Sequence, residues 1–225
     1  VSDDGEYPLL NGDIGSTDGK RVSYKDYRKS TNEFIDPRSS AKWTKWSRES
    51  LFVGALARFN LNADKLHPKA KALAKELGFK PVCKNPFLNT VAQVVEIVHC
   101  YHHALEILQD LKKNGLDYFQ QLTVGVNEKG AVPVRAGDGV GSVEVPRGIL
   151  HHNYVTDKDG MIKAANCIIP TNQNVNNIEH DFAKFLPEIL DEGKEKITLK
   201  LEMLVRAYDP CISCSAHYLD VKYVD

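Results

Sequence analysis

The longest regular pattern of apolar residues runs from Asn89 to Gly115. Lys112 and Lys113 fall in its last turn, where cations offset the helix dipole, and Gly115 can end a helix. The apolar residues recur at steps of three and four, the spacing of one helix face, at Val91, Val94, Val95, Val98, Leu105, Leu108 and Leu111. The pattern therefore predicts a long amphipathic helix.

Shorter patterns predict further helices. Pro68 stands near the start of one and Gly78 just past its end, the usual order of these two residues. A proline disfavours helix at the residue before it, so Pro37 and Pro210 each mark a helix end. The predicted helices are 24–35, 48–61, 67–79, 175–190 and 194–208.

Two segments show the pattern of β-hairpins. The stretch 7–27 has Asn-Gly and Asp-Gly turn signals around short apolar runs, and 151–169 has two runs joined by a glycine-containing turn. We expect a mainly α, multihelical fold with a small β-hairpin element. The chain has 225 residues, enough for a sizeable core, and we expect it to form a single unit over 1–225.

Composition and charge exclude several classes of protein. Charged residues are 26% and hydrophobic residues 42%, which is ordinary for a globular protein, and a net charge of -1 gives no reason to expect nucleic acid. No apolar stretch approaches the roughly 20 residues of a membrane span, and the N-terminal residues lack a signal-peptide pattern. Five irregularly spaced cysteines do not indicate a disulfide framework, so a reducing, cytoplasmic location is expected.

The clearest candidate chemistry is the segment from Asp209 to His217, which reads D-P-C-I-S-C-S-A-H. Two thiolates at C-x-x-C spacing, here Cys211 and Cys214, can hold one metal ion, and soft sulfur favours zinc, nickel or iron. The pair supplies only half of a tetrahedral site, so further ligands must come from elsewhere. A redox dithiol and half of a structural zinc site are the alternatives.

An arginine at a turn is a second candidate. Arg147 lies between Pro146 and Gly148 in the stretch E-V-P-R-G, where its guanidinium can be aimed rigidly at an anionic ligand. The alternative is an ordinary surface salt bridge.

Histidines, cysteines and tryptophans elsewhere carry weaker signals. An E-x-x-H pattern from Glu96 to His99, with His102 and His103 on the same face, lacks the second copy that a di-iron bundle needs, so a polar helix face is favoured. The other residues that stand out have structural interpretations, as buried small side chains at Cys83 and Cys100 and as packing at Trp43 and Trp46.

Three ordered motifs together resemble a known family. The ending D-P-C-I-S-C-S-A-H, the stretch E-V-P-R-G and the segment I-I-P-T-N-Q-N resemble signatures of the large, catalytic subunit of nickel–iron hydrogenases. The segments F-V-G-A-L-A-R and N-P-F-L-N-T-V-A-Q-V-V-E-I-V are similar to the cytoplasmic, multi-subunit, NAD(P)-linked branch that includes archaeal sulfhydrogenases. The similarity extends from about Tyr7 to His217.

The resemblance implies a role for each motif residue. In this family four cysteines hold nickel, and two of them bridge to an iron that carries cyanide and carbon monoxide. Cys211 would be a terminal nickel ligand that accepts a proton, Cys214 a bridging ligand, and His217 a ligand of a nearby magnesium or iron. The remaining implied roles are the backbone carbonyl of Cys167 on that third metal, Arg147 and Asp209 as catalytic residues beside the metals, and Pro146, Pro170, Thr171 and His152 around them.

The chain departs from the family pattern in one respect. The family has a second C-x-x-C near the N-terminus of the large subunit, whereas Cys83, Cys100 and Cys167 form no such pair. The chain thus resembles the C-terminal half, with 218–225 as a maturation tail, and we expect the isolated chain to be inactive and metal-free.

The partners that the resemblance implies are the N-terminal half, an iron–sulfur small subunit, NAD(P)-linked electron-transfer subunits and a maturation endopeptidase. A fragment should also expose apolar faces that the missing half covers. A complex I-type homologue and a zinc-stabilised binding module are the alternatives.

Overall fold

The computed structural model describes residues 7, 12–46, 49–115 and 133–215. The helices are α1 (Ala55–Asn62), α2 (Pro68–Glu76), α3 (Asn89–Asn114), α4 (Pro170–Ile189), α5 (Lys194–Ala207) and α6 (Ile212–Ser215). The strands are β1 (Ile14–Gly15), β2 (Arg21–Val22), β3 (Asn32–Ile35), β4 (Lys42–Lys45), β5 (Gly137–Val145), β6 (Gly148–Thr156) and β7 (Ile162–Ile168). Short 3-10 turns lie between several of these elements.

Most of the predicted helices are confirmed. The long helix is α3, and Gly115 follows it with a φ of 78°. Pro68 opens α2, whose first turn is capped by the imidazole of His67. Helix α4 begins at Pro170, five residues earlier than predicted, because proline suits the first helical position. Helix α1 begins at Ala55 rather than near residue 48.

The helix predicted over 24–35 is wrong. A 3-10 turn covers Tyr24–Lys29 and is followed by β3, which pairs antiparallel with β4. The hydroxyls of Ser30 and Thr31 both donate to the carbonyl of Tyr27 at 2.9 Å. Side-chain bonds of this kind compete with helix hydrogen bonds, so the helix ends there and the chain extends into a strand.

The β structure exceeds the prediction. Three antiparallel sheets are present in the described residues: β1–β2, β3–β4 and the three-stranded β5–β6–β7. The N-terminal hairpin and the β6–β7 hairpin were predicted, but β5 was not, because its glycines hide the alternation typical of a strand. The fold is therefore helical with three small sheets rather than one hairpin.

Among the described residues, apolar packing forms three clusters. The largest joins α1, α2 and α3, and a smaller one joins α4 and α5. The third packs the three-stranded sheet against the N-terminal region through Ile14, Tyr27, Ile149 and Ile168. Trp43 is buried and meets Phe34 edge-on, so its predicted packing role is confirmed.

Helix α3 buries only part of its apolar surface. Ala92 and Val95 are fully buried, whereas a row of apolar side chains further along the helix is exposed. Its members are Val94, Ile97, Tyr101, Leu105, Leu108 and Leu111, hereafter the α3 apolar row. Across the parts of the chain that the structure describes, no helix has the length and apolar character needed to cross a bilayer.

Candidate metal and catalytic site

Arg147 lies in the tight turn that joins β5 to β6. Val145 pairs with Gly148 across the hairpin, so Pro146 and Arg147 form a two-residue connection. Gly148 has a φ of 139°, and a Cβ placed there would lie 2.4 Å from Cγ2 of Val53. Only glycine fits this position, because the backbone conformation and the close neighbour both exclude a side chain. The turn predicted for Arg147 is confirmed.

The side chain of Arg147 is joined to Asp209. Its Nε donates to the Asp209 carbonyl oxygen at 2.5 Å and its Nη2 to Oδ1 at 3.1 Å. Asp209 follows α5 with a φ of 50°, a left-handed conformation that aspartate tolerates better than most residues. This conformation turns both its carbonyl and its carboxylate toward Arg147. Gln93 of α3 donates to the other carboxylate oxygen at 3.1 Å.

Thr171 binds the backbone of Cys211. Its backbone N–H donates to the Thr171 hydroxyl at 3.1 Å, and that hydroxyl lies in the first turn of α4, directly after Pro170. Thr171 is buried, whereas Cys211 is half-buried and Cys214 exposed. Hydrogen bonds thus join Arg147 to Asp209 and Cys211 to Thr171, and the backbone through Pro210 links the two pairs. The sequence places these four residues in three separate motifs.

The two cysteines of the C-x-x-C motif are neighbours in space. Their Cα atoms are 5.2 Å apart, and the two sulfur atoms are joined in a disulfide. The segment that carries them was predicted to be irregular, but 212–215 forms the short helix α6. His217 and the 218–225 tail lie outside the described residues.

A second group of predicted residues lies on the three-stranded sheet. His152 and Cys167 are cross-strand partners, with the imidazole Nδ1 3.5 Å from the Cys167 sulfur. Tyr154, which the sequence did not single out, places its hydroxyl 2.7 Å from the same nitrogen. The hydrogen bond with Cys167 raises the pKa of Tyr154. In the described residues, no hydrogen bond joins this trio to Arg147 or Cys211.

Amide side chains of α4 bind backbone groups next to the site. Asn174 accepts from the backbone N–H of Val53 at 2.9 Å and donates to its carbonyl at 3.0 Å, as a neighbouring strand would. This pairing occupies both backbone polar groups of Val53 outside a helix, which explains why α1 begins later than predicted. Gln173 donates to the Ile149 carbonyl at 2.6 Å. The sequence signal for this support was the polar run T-N-Q-N at the start of an amphipathic helix.

Arg58 is a buried charge that the sequence did not single out. It lies in α1, and its guanidinium contacts the carboxylates of Glu96 and Glu144. Burial lowers the pKa of Arg58, but the hydrogen bonds with Glu96 and the two negative charges outweigh this and raise it. Its sequence signals were an arginine within the apolar pattern of 48–61 and its place at the end of the segment F-V-G-A-L-A-R.

The histidines of α3 form a polar cluster, as predicted. His99 is buried and accepts a hydrogen bond from the backbone N–H of His67 at 2.9 Å, while the His67 and His102 rings stack. Burial, followed by the nearby charge of His103, lowers the pKa of His99. The described parts of the chain contain no group of three or more His, Cys, Asp or Glu side chains that could hold a metal ion.

The two cysteines predicted to be buried differ. Cys83 is half-buried and packs against the largest apolar cluster, so its prediction holds in part, whereas Cys100 is exposed and its prediction is wrong. Cys83 sits in a connection between helices, where its backbone binds the amide of Asn60. Cys100 follows buried His99 on α3 and therefore points to another side of the helix.

A cavity of about 540 Å³ lies beside the Arg147 turn but does not include the candidate site. Its walls include Gly54, Glu144, His151 and Gln173, and they do not include Arg147, Asp209 or Cys211.

The residues present fit part of a nickel–iron group. Cys211 and Cys214 are soft donors close enough together to share a metal ion once reduced, and Arg147 offers a cationic donor beside them. They supply two of the four thiolates that the resemblance implies, so the fit is in donor type and covers half of the ligand number.

Comparison with known proteins identifies the same family as the three motifs. The model of the nickel-dependent hydrogenase family matches residues 15–217. The alpha subunit of sulfhydrogenase 1 from Pyrococcus furiosus is 32% identical over 213 residues, which cover 94% of this chain and 47% of that subunit. The beta subunit of the NAD-reducing hydrogenase of Cupriavidus necator is 33% identical over 214 residues, covering 89% of this chain and 42% of the relative.

A solved structure shares the fold. An NAD+-reducing NiFe hydrogenase in the H2-reduced state superposes with a TM-score of 0.76 at 26% identity, covering 96% of this chain and 49% of the other. The chain thus spans about half the length of the relatives it matches. The family match extends through nearly all of the sequence and includes every motif of the candidate site. The chain belongs to the nickel-dependent hydrogenase family.

Proposed function

We propose that this chain is the C-terminal portion of the catalytic subunit of a nickel–iron hydrogenase, an enzyme that reversibly oxidises H2 to protons and electrons. The observation that carries the proposal is the pair of contacts Arg147–Asp209 and Cys211–Thr171, which meet at the segment 209–211, in a chain that matches the family from residue 15 to 217. When bound, the nickel–iron group supplies the Lewis-acid and redox chemistry that splitting H2 requires.

The side chains divide the remaining work. Once reduced, Cys211 and Cys214 would be the two thiolates with which this chain holds the group. The Cys211 sulfur would then hold the proton released from H2. The half-exposed guanidinium of Arg147 would stabilise negative charge at the site and orient it.

Polar donors around the pair suit anionic ligands. Arg147 and the buried Thr171 hydroxyl would donate to cyanide ligands of the group, because hydrogen bonds to charged acceptors are strong. Asp209 fixes the direction of the Arg147 fork through its two contacts. His152 lies further out, beside Cys167, whose backbone carbonyl we propose with His217 as a ligand of magnesium or iron.

The complete enzyme requires further parts. We propose the N-terminal half of the large subunit as the source of the other two thiolates, an iron–sulfur subunit and NAD(P)-linked subunits as the electron path, and an endopeptidase that completes maturation in the cytoplasm. The relatives support the existence of partner subunits, since their names describe subunits of a sulfhydrogenase and of an NAD-reducing hydrogenase.

Reconstitution tests the proposal. The chain is co-produced with the rest of the large subunit and the partner subunits, and H2-dependent dye reduction and nickel and iron content are measured. The assembled wild type should hold nickel and turn over H2, whereas Cys211→Ser should lose nickel and activity, and Cys83→Ser, remote from the site, should keep both. The reduced isolated chain should bind nickel and iron far below one equivalent. Stoichiometric nickel–iron in the isolated chain, or full activity in Cys211→Ser, would overturn the assignment.

A further inference from the structure

The guanidinium of Arg58 donates all of its hydrogen bonds to Glu96 and to the segment 144–146. Its Nε and Nη2 donate to the two carboxylate oxygens of Glu96 at 2.6 and 2.7 Å. Its Nη1 donates to Glu144 at 2.8 Å and to the Val145 carbonyl at 2.9 Å, and Nη2 also donates to the Pro146 carbonyl at 3.0 Å. A guanidinium has five N–H groups, and all five have acceptors here. The second partner is a single segment, Glu144 to Pro146.

The contacts are shielded from water. The side chain of Arg58 is 4% exposed, and those of Glu96 and Glu144 are 13% and 6% exposed. Hydrogen bonds between charged groups are stronger and more directional in such surroundings than at a surface. A buried ion cluster adds little net stability compared with apolar packing, so its arrangement calls for another explanation.

The two bound carbonyls belong to the backbone that leads into Arg147. Val145 and Pro146 are the two residues directly before it, so Arg58 fixes the peptide units that enter the turn. The other side of the turn is bounded by Gly54, where an added Cβ would lie 3.0 Å from the Arg147 carbonyl oxygen. Gly54 accepts the first hydrogen bond of α1 from the N–H of Arg58, so a single helical turn contacts the arginine turn from two directions.

We propose that Arg58 is a positioning residue that orients Arg147 toward Asp209 through the Val145 and Pro146 carbonyls. The Arg147 side chain is 40% exposed and is anchored through contacts with Asp209, so its direction depends on how firmly its backbone is held. The consequence for catalysis rests on the proposed function, while the positioning itself is a property of this chain.

The inference is tested on the Arg147 side chain directly. In the 15N-labelled chain, the Nε–H signal of Arg147 is assigned and its solvent exchange measured, in wild type and in Arg58→Lys. Lysine keeps the charge but cannot bind both carboxylates and both carbonyls. The Arg147 signal should shift and exchange about tenfold faster, the size expected when a hydrogen bond of about 1.4 kcal/mol is lost. The control Arg38→Lys, at an exposed arginine that also binds two carboxylates, should leave the Arg147 signal unchanged.

An unchanged Arg147 signal in folded Arg58→Lys would overturn the inference. Where Arg58→Lys does not fold, Glu144→Gln replaces it: the neutral amide keeps the size of the side chain but weakens the Nη1 contact. The same signal should then move in the same direction by a smaller amount, and its constancy would count equally against positioning.

A second arm measures the consequence in the assembled hydrogenase complex. Arg58→Lys should lower kcat for H2 oxidation by about 10- to 100-fold at unchanged nickel content and unchanged KM for the electron acceptor. If the wild-type complex has no hydrogenase activity, the proposed function fails while the Arg147 signal still decides the positioning. If the complex is active and the Arg147 signal does not respond to Arg58, only the positioning inference fails.

Discussion

His151 makes the stability of this chain sensitive to acid. The side chain is 0% exposed, stacks on the ring of Tyr27 and lies with Nδ1 2.7 Å from the Ser142 hydroxyl. Its Nε2 is buried without a hydrogen-bond partner in the described residues. Burial lowers the pKa of His151 from 6.5 to about 4, because a charged imidazole there would lose its hydration.

The direction and size of the effect follow from this pKa. The unfolded chain takes up a proton at His151 near pH 6.5, and the folded chain does so only near pH 4. The stability that neutral His151 allows is therefore fully present above pH 6.5. It is lost as the pH falls from 6.5 to 4 and does not change further below pH 4. The difference between the two pKa values corresponds to about 3 kcal/mol of unfolding free energy.

Urea unfolding at pH 7.5, 5.5 and 4.5 measures this loss. His151→Asn keeps an atom that can bond Ser142 but does not titrate, so its stability should fall less with acid than the wild type does. Between pH 7.5 and 4.5, the wild type should lose up to about 3 kcal/mol more unfolding free energy than His151→Asn. The neighbouring variant His152→Gln retains His151 and should retain the acid-dependent loss. If wild type and His151→Asn lose stability in parallel, His151 does not carry the effect and the reasoning fails.

Two further predictions concern packing. Gly148→Ala should lower the free energy of unfolding by about 3 kcal/mol, since the new Cβ would meet Val53 at a backbone conformation that excludes side chains. The control Gly139→Ala has open space around it and should change that free energy by no more than about 1 kcal/mol. Thermal or urea unfolding measures both variants, and equal effects would contradict the packing argument. Ile97→Lys, in the α3 apolar row with 67% of the residue exposed, should reduce self-association of the isolated chain in sedimentation velocity, and the same association in wild type and variant would show that this row is not the contact.

The sequence alone was sufficient for the elements whose signals are local. Pro68, Gly115 and the apolar steps of α3 act within one or two helical turns, so those helices were predicted correctly. It failed over 24–35, where two hydroxyls end the helix and pairing with β4 extends the chain. Strand β5 was missed because its pairing with β6, rather than its own composition, makes it a strand.

The residue types of the candidate site could also be read from the sequence. The spacing of the C-x-x-C motif predicts a thiolate pair, and the E-V-P-R-G stretch predicts a rigidly held arginine. Both features depend on residues that are close in sequence. The contact of Arg147 with Asp209 and of Cys211 with Thr171 could not be read this way, since these partners are 62 and 40 residues apart.

Tertiary structure alone decided how the site is held. Arg58 and Asn174 look like ordinary polar residues of helices in the sequence, and each becomes a support of the Arg147 turn only when folding brings distant backbone groups into its reach. The physical reason is that buried polar groups must find partners wherever the fold supplies them, whereas helix caps, turns and apolar periodicity are satisfied locally. The sequence by itself determined the chemistry that this chain offers, and the fold determined which side chains hold that chemistry in place.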